Sequence, residues 1–401
     1  MNEPSTKPRF TGRAVESAIN KIGAVNRPKD EIDEARGALE AVRSEAASTP
    51  RDEFYMPRDR MGALVQSAMA ERLGQPAPEE LGPDFLFSDG DPGWASVLPS
   101  LIERWLTVNA PFRTHESHRV DFDLPDKAGV ALFSDWGTGR PAADQVMREI
   151  VKGNPDIAIH LGDIYYSGQE HEVVRRFLDH FPGTNGAGAP MRRFALNGNH
   201  EMYSGGRGYF DVVLAAMEQE ASYFCLSNAN WRLIGLDTAY KDKVLADPQM
   251  QWLNALLAVP DGRKTILLSH HQAFSLFEEV DPRGLYEQVR PLLEAGKIHA
   301  WFWGHEHNHV VFRLRAGMAA RCIGHGAIPY FSPNADFSAR TFPDLKPAFV
   351  NRRRRPDTLQ GVNGFAMLRF DGPELMVDYI DEDGTVTRTE DMNLVLSGVS
   401  V

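Results

Sequence analysis

Residues 157–168, IAIHLGDIYYSG, combine a short apolar run with a polar, glycine-containing loop that carries a carboxylate. An apolar run of this length, bounded by turn residues, is typical of a buried strand. Similar runs recur from about residue 128 onward: AGVALFS (128–134), RFALN (193–197), WRLIGL (231–236), KTILLS (264–269) and IHAWFW (298–303). We therefore predict a series of buried strands, most of which end in polar loops.

Three amphipathic stretches lie between these runs and predict helices at residues 142–151, 172–181 and 249–257. A chain in which strands and helices alternate belongs to the α/β class. From Gly364 onward the pattern is a simpler alternation in FAMLRF, LMVDYI and TVTRT, with turn residues at Asp371 and Gly372 and at Asp383 and Gly384. This pattern predicts that the last strands are antiparallel.

The first 125 residues differ from the rest of the chain. Apolar residues recur at helical spacing in residues 30–46, 57–73 and 97–108, and prolines separate the last two of these stretches. We therefore predict two parts: a helical N-terminal extension at residues 1–125 and an α/β domain at residues 126–401.

Charge and cysteine content exclude several classes of protein. Lys and Arg number 43 against 55 Asp and Glu, a net charge of −12, which disfavours nucleic acid and anionic membranes as partners. Two cysteines, Cys225 and Cys322, cannot form a disulfide framework, so we expect buried free thiols and a reducing compartment. The sequence lacks a secretory leader and any apolar stretch of about 20 residues. We therefore predict a cytoplasmic protein without a membrane span.

Side chains that can bind metals follow five of the predicted strands. They are Asp135, Asp163, Asn199, His270, and the pair His305 and His307. Ligands in α/β folds bind at the carboxyl ends of strands, so we expect these side chains to meet. Oxygen and imidazole ligands without cysteine suit Zn, Mn, Fe or Co. Their number exceeds the needs of one metal, which predicts a pair of cations able to clamp a phosphoryl group, with Asp163 between them.

These residues stand in motifs that resemble those of the calcineurin-like metallophosphoesterases. The motifs occur in the family's order: Asp135-Trp136-Gly137, Gly162-Asp163, Gly198-Asn199-His200-Glu201, His270, and Gly304-His305-Glu306-His307. The resemblance covers about residues 128–390. It implies a two-sheet β-sandwich flanked by helices. It also implies a catalytic domain in which a metal-bound hydroxide attacks a small-molecule phosphomonoester or phosphodiester.

A finer resemblance is to the purple acid phosphatases. Gly137 stands where many relatives carry a histidine, and Tyr166 follows Asp163 by three residues, as a metal-binding tyrosinate does in that branch. The resemblance implies two ligand sets, with Fe, Zn or Mn as the metals. The first set is Asp135, Asp163, Tyr166 and His307, and the second is Asp163, Asn199, His270 and His305. The alternative for Tyr165 and Tyr166 is simple packing at the base of a loop.

The resemblance also implies roles for the residues around the metals. His200 would contact the substrate phosphate or protonate the leaving group, because an imidazole titrates near neutral pH. Glu201 would orient His200, and Asn199 would join His200 in binding substrate. We also predict from its position just after the GHxH motif that His309 binds substrate. His271 competes with His270 as the ligand, because the proline that often follows two residues after the family's ligand is here Gln272.

Other functions compete with a small-molecule phosphoesterase. A non-catalytic scaffold on the same fold is one, although every motif here keeps its metal-binding residue. The serine/threonine phosphatases are disfavoured because the chain has GDIYYSG where they have GDxVDRG. The net charge of −12 disfavours a nuclease function, because nucleic acids are polyanions. The N-terminal helices must bury their apolar faces, so the extension either occludes the site or joins two copies of the chain into a homo-oligomer.

Overall fold

The structure, a computed structural model, describes residues 109–276, 280–281, 283–328, 342, 345–356 and 360–398, together with Ala63 and Ser67. The helices predicted at 30–46, 57–73 and 97–108 lie outside these residues, except that Ala63 and Ser67 both have α-helical backbone geometry. The division of the chain at residue 125 stays a prediction.

The described residues form two β-sheets. Their strands, in chain order, are β1 (Asp121–Asp123), β2 (Lys127–Phe133), β3 (Ile157–His160), β4 (Arg192–Ala195), β5 (Phe224–Ser227), β6 (Trp231–Leu236), β7 (Lys264–Ser269), β8 (Ala300–Trp303), β9 (His309–Phe312), β10 (Ala319–Ile323), β11 (Pro347–Val350), β12 (Gly364–Asp371), β13 (Glu374–Asp381) and β14 (Val386–Asp391). The predicted α/β class is confirmed, because helices flank both sheets.

The two sheets bring the carboxyl ends of their parallel strands to one region. The six-stranded sheet has the order β14-β13-β12-β2-β3-β4, and its β2, β3 and β4 are parallel. The eight-stranded sheet has the order β1-β5-β6-β7-β8-β10-β9-β11, in which β6, β7 and β8 are parallel neighbours. The predicted antiparallel ending is confirmed by the pairing of β12 with β13 and of β13 with β14.

The described residues also form α-helices, of which the three longest pack on the outer faces of the sheets. The helices are α1 (Pro141–Lys152), α2 (Glu170–Glu172), α3 (Asn199–Met202), α4 (Leu214–Ala216), α5 (Asp247–Leu256), α6 (Leu285–Glu294) and α7 (Met392–Leu396). α2 continues through a π-helical segment, Val173–Phe177, and a 3-10 turn, Leu178–His180, and a second π-helical segment, Gly208–Val213, precedes α4. None of the described helices is both long enough and apolar enough to cross a membrane.

Strand β2 shows why the strand sequences are apolar without interruption. Val130 and Leu132 point into the core between the sheets, whereas Phe133 packs into the core on the other face with Val146 and Ile150 of α1. Each such side chain contributes about 1.5–3 kcal/mol on burial. A strand buried on both faces therefore has no polar position along its length, and its functional residues lie beyond its end.

Two further features bear on the sequence predictions. Cys225 and Cys322 are buried free cysteines, as expected. Burial raises the pKa of the Cys225 thiol to about 12. β1 lies ahead of residue 125 and pairs with β5, so Asp121–Asp123 is part of the eight-stranded sheet.

Candidate metal centre

Six of the predicted ligands lie at the ends of strands, where the two sheets meet. Asp135, Asp163 and Asn199 follow β2, β3 and β4 of one sheet, and His270, His305 and His307 follow β7 and β8 of the other. Acidic and imidazole ligand atoms form two groups, and within each group all the atoms lie within 4.8 Å of one another. One group is Asp135, Asp163 and His270, and the other is His270, His271 and His305. The topology thus brings together residues that are far apart in sequence.

The backbone turns sharply at three of these strand ends. Asp135, Asp163 and His305 have φ angles of 56°, 74° and 64°, in the left-handed region that non-glycine residues rarely adopt. Such conformations cost of order 1–3 kcal/mol and cluster at functional sites. At Gly304 a Cβ would overlap both Ser134 and Asp135. The strand-end loops therefore pack so closely that this position has no room for a side chain.

The first group of contacts surrounds the hydroxyl of Tyr165. This hydroxyl donates to Asp135 Oδ1 at 3.1 Å and to Asp163 Oδ2 at 3.2 Å. His307 Nε2 lies 3.2 Å from the same hydroxyl and 3.4 Å from Asp135 Oδ1. The His307 side chain is 25% exposed, whereas both carboxylates are buried, so this group is open on the His307 side.

The second group surrounds the imidazole of His270. Its Nε2 lies 2.9 Å from Asn199 Oδ1 and 3.2 Å from Asp163 Oδ1, while its Nδ1 lies 3.1 Å from the Leu161 carbonyl. The ring of His305 is 5.1 Å from that of His270. Asp163 therefore faces the first group with one carboxylate oxygen and the second group with the other.

His271 lies beside the second group. Its Nδ1 is 3.1 Å from Thr238 Oγ1, and its ring is 4.6 Å from the ring of His305. It is the neighbouring His270 whose imidazole contacts the side chains of Asn199 and Asp163. This geometry favours His270 over His271 as the ligand, with Thr238 holding His271 in place.

His200 lies against the first group. Its Nδ1 is 2.5 Å from the Tyr166 carbonyl, and its Nε2 is 3.8 Å from Asp163 Oδ2. The ring packs between those of Tyr165 and Tyr203, at 4.4 and 4.8 Å. Burial lowers the pKa of His200 below its ordinary value, although Asp163 and the carbonyl oppose this effect.

The charge balance of the site suits cations. Burial raises the pKa values of both Asp135 and Asp163, but neighbouring histidines outweigh burial, so both pKa values lie below the ordinary range. Burial and the two carboxylates raise the pKa of Tyr165 well above its ordinary value. Two buried carboxylates that share one hydroxyl are costly unless positive charge lies near them. Oxygen and imidazole donors in two adjoining groups fit a pair of cations.

Comparison with known proteins agrees with this geometry. The model of the calcineurin-like phosphoesterase family matches residues 129–309. Residues 129–309 are therefore similar to a calcineurin-like phosphoesterase domain. This match, together with acid phosphatases among the relatives, supports a metal-dependent phosphoric ester hydrolase.

Individual relatives of this phosphoesterase are acid phosphatases. It is 26% identical over 311 residues to tartrate-resistant acid phosphatase type 5 of Homo sapiens, which covers 65% of this chain and 90% of the relative. The Rattus norvegicus protein of the same name is 21% identical over 295 residues. The fold is similar to that of a purple acid phosphatase from yellow lupin (Lupinus luteus) seeds, with a TM-score of 0.51 and 16% identity. That match covers 66% of this chain and 54% of the lupin chain, about half of its length.

The phosphoesterase departs from the predicted site at its tyrosine. The hydroxyl that contacts Asp135 and Asp163 is that of Tyr165, whereas the sequence predicted Tyr166 for the first ligand set; the Tyr166 assignment stays a prediction. The Arg176 guanidinium lies 4.3 Å from the centre of the Tyr166 ring, and its Nη1 donates to the Tyr165 carbonyl at 3.1 Å. Glu172 accepts from the Tyr166 amide at 2.8 Å. These contacts place the Tyr166 ring against the Arg176 guanidinium.

His309 is also placed differently from the prediction. It lies in β9, and its buried ring packs against His325, Tyr379 and Phe349, with ring centroids 4.8, 4.7 and 5.4 Å away. Burial, together with His325, lowers its pKa well below the ordinary value. His309 is buried among these rings, and its predicted role in binding substrate stays a prediction.

Two further residues support the ligands. We expected Glu201 to orient His200. In the structure its carboxylate accepts from the Asp163 amide at 3.1 Å, so Glu201 holds the Asp163 loop. Tyr203 accepts from Asn199 Nδ2 at 2.8 Å, which turns Asn199 Oδ1 toward His270. Sequence reasoning missed Tyr203, although its position four residues after Asn199 on a helix gives the signal.

Proposed function

We propose that this phosphoesterase is a di-metal phosphatase that hydrolyses small-molecule phosphomonoesters. The observation that carries the proposal is the position of Asp163, whose two oxygens face different ligand groups. A carboxylate placed in this way can bridge two cations. The acid phosphatase names of the relatives support a monoester substrate.

The proposed ligand sets follow the contacts. Asp135, Asp163, Tyr165 and His307 would hold the first cation. Asp163, Asn199, His270 and His305 would hold the second. A cation pair of this kind polarises phosphoryl oxygens and activates water at neutral pH. Iron, zinc and manganese all suit these donors.

His200 is proposed to deliver a proton to the leaving oxygen. Its Nδ1 faces the Tyr166 carbonyl, so Nδ1 carries hydrogen and Nε2 is the atom turned toward Asp163 and the substrate side. The rings of Tyr165 and Tyr203 hold the imidazole from both faces. A fixed donor of this type contributes about 10²–10⁴-fold to a rate.

Hydrolysis of nitrophenyl phosphate and bis(nitrophenyl) phosphate tests the proposal. The metal-loaded wild type should prefer the monoester, and Asn199→Ala should serve as the blank, since it removes an oxygen from the second set. If the protein prefers the diester, the proposed substrate class changes from phosphomonoesters to phosphodiesters. Absence of turnover by protein with measured metal would favour the non-catalytic scaffold.

The remaining expectations stay proposals. We propose a small-molecule substrate in preference to nucleic acid because the net charge is −12. A cytoplasmic location is proposed from the two free cysteines. Homo-oligomer formation through the N-terminal helices is open to a measurement of mass in solution.

The tyrosine assignment makes a spectroscopic prediction. A phenolate bound to ferric iron absorbs visible light, so adding Fe³⁺ to the metal-free wild type should give a visible band. Tyr165→Phe should abolish this band, because it removes the hydroxyl shared by Asp135 and Asp163. Tyr166→Phe is the matched control and should keep the band. The opposite result for the two variants would restore Tyr166 as the ligand.

The raised pKa of His270 predicts that metal binding depends on pH. Burial lowers the pKa of His270, but Asp163 and other carboxylates outweigh burial and raise the pKa to about 9 in the metal-free protein. A cation can bind Nε2 only after the proton leaves. The affinity for Zn²⁺ should therefore rise with pH up to about 9 and then level off. The stability that the protonated His270 gives the metal-free protein is complete below pH 6.5 and is lost as the pH rises through 9.

Calorimetry at pH 7 in two buffers of different ionisation enthalpy measures the protons released. We expect the release of a proton from His270 when Zn²⁺ binds. His118→Ala, in a histidine outside both ligand groups whose Nδ1 lies 3.1 Å from the Thr114 carbonyl, should leave the release unchanged. A Zn²⁺ affinity that is constant between pH 6.5 and 9 would contradict the assignment.

A further inference from the structure

Two residues from the N-terminal part of the chain contact the loop that carries Tyr165. Ala63 is fully buried in a cluster with Tyr165, Tyr166 and Ile328. Ser67 is fully buried as well, and its Oγ donates to Glu172 Oε1 at 2.9 Å. Both residues have helical backbone geometry, and residues four apart on a helix face the same side. Ala63 and Ser67 are therefore both packed against the tyrosine loop.

Ser67 belongs to a continuous chain of hydrogen bonds. Gln169 Nε2 donates to Ser167 Oγ at 3.3 Å, and Ser167 Oγ lies 2.6 Å from Ser67 Oγ. Because Ser67 donates its own proton to Glu172, the hydroxyl of Ser167 is the donor in the contact between the two serines. All of these groups are buried, so each lost bond leaves a polar group without a water molecule to replace it.

Glu172 connects this chain to the backbone of the tyrosine loop. Its carboxylate accepts from the amides of Tyr166, Ser167 and Gln169 at 2.8, 3.0 and 3.2 Å. Arg176, 3.7 Å from Glu172, donates to the Tyr165 carbonyl. The loop that places the Tyr165 hydroxyl between two carboxylates is thus held by one buried ion pair, and Ser67 binds the acidic member of that pair.

We propose that Ser67 is a positioning residue for the Tyr165 loop, so that a residue far ahead of the phosphoesterase match supports the wall of the catalytic site. This inference rests on the proposed function. It extends that function to a residue outside the phosphoesterase match, which begins at residue 129. Ser67 acts through Glu172 on the loop and contacts no proposed metal ligand or substrate group. The serine hydroxyl fixes the carboxylate, and the carboxylate fixes three loop amides.

Ser67→Ala in the full chain tests the proposal. Loss of an outer partner of a metal site typically costs about 10–100-fold in activity. We expect a fall in kcat for nitrophenyl phosphate in this range, with KM within about twofold of wild type, because the groups proposed to bind substrate are untouched. Ser67→Thr keeps the hydroxyl and should restore kcat. Ser397→Ala, in an exposed serine at the end of α7, is the matched control.

Hydrogen exchange provides a readout that does not depend on turnover. Ser67→Ala should speed amide exchange in residues 163–169 and leave β12 at the wild-type rate. Ala63→Glu should also speed exchange in residues 163–169 and leave β12 unchanged. Ala187→Glu, at an exposed alanine, is the matched control and should leave both at the wild-type rate. Wild-type exchange of residues 163–169 in both variants would overturn the proposal, as would equal acceleration in β12. If the wild type has no turnover, the proposed function fails, and the exchange comparison still decides the role of Ser67.

Discussion

Asp163→Asn is expected to abolish hydrolysis of phosphate esters while the protein stays folded. Asp163 faces both ligand groups, with Oδ2 on the Tyr165 side and Oδ1 on the His270 side. The asparagine amide is neutral and offers only one oxygen, so both proposed cations lose a charged ligand. Loss of one stabilising donor at an active site costs about 10²–10³-fold in rate. We expect a larger loss here because two sites are affected together.

Metal analysis and a far-UV spectrum should accompany the kinetics of Asp163→Asn. The variant should retain the wild-type spectrum and bind less metal than the wild type. Asp371→Asn is the matched control, because Asp371 is exposed at a β-turn and pairs only with the exposed Lys127. Substantial turnover by Asp163→Asn would show that a carboxylate at this position is not needed.

His200→Ala is expected to reduce turnover without removing the metals. The proposed role of His200 is to protonate the leaving oxygen, which matters most when that oxygen is strongly basic. For an alkyl phosphate we expect a loss of about 10²–10⁴-fold. The loss should be much smaller for nitrophenyl phosphate, whose leaving group needs little protonation. The metal content should remain that of the wild type, since His200 is not in either proposed ligand set.

The pH dependence of the same variant supplies a second test. Burial lowers the pKa of His200, so the imidazole is protonated only below its ordinary value of 6.5. The wild-type rate on an alkyl phosphate should therefore increase as the pH falls below about 6.5, and His200→Ala should lose this increase. His118→Ala should keep it. Equal losses on both substrates would favour a role in binding phosphate over proton transfer.

The strand pattern predicted most of the fold because the parallel strands of both sheets are buried on both faces. A strand such as β3 has no polar position before its end, so its boundary is visible in the sequence of IAIHL followed by Gly162. Polar residues after such strands must lie at the carboxyl edge, and this rule brought Asp135, Asp163 and His270 together. The topology of parallel strands, more than any local motif, made the site predictable.

The structure departs from the sequence predictions where a side chain's direction depends on distant contacts. Spacing from Asp163 favoured Tyr166, but Arg176 and Glu172 hold that ring elsewhere, and neither contact is visible from the motif. His309 follows His307 by two residues, yet it already lies in β9 and faces the core. The sequence did not identify Ser67 as a functional residue, because serine is not among the apolar residues whose spacing predicts a helix at residues 57–73.

The most direct test of the central claim is to measure metal content and turnover of nitrophenyl phosphate on the same samples of wild-type protein. Metal would be removed with a chelator and returned stepwise. The account predicts that turnover is lost with the metal and returns fully only when about two metal ions per chain are bound. Full turnover by protein without metal, or with a single ion per chain, would contradict a site in which Asp163 joins two cations.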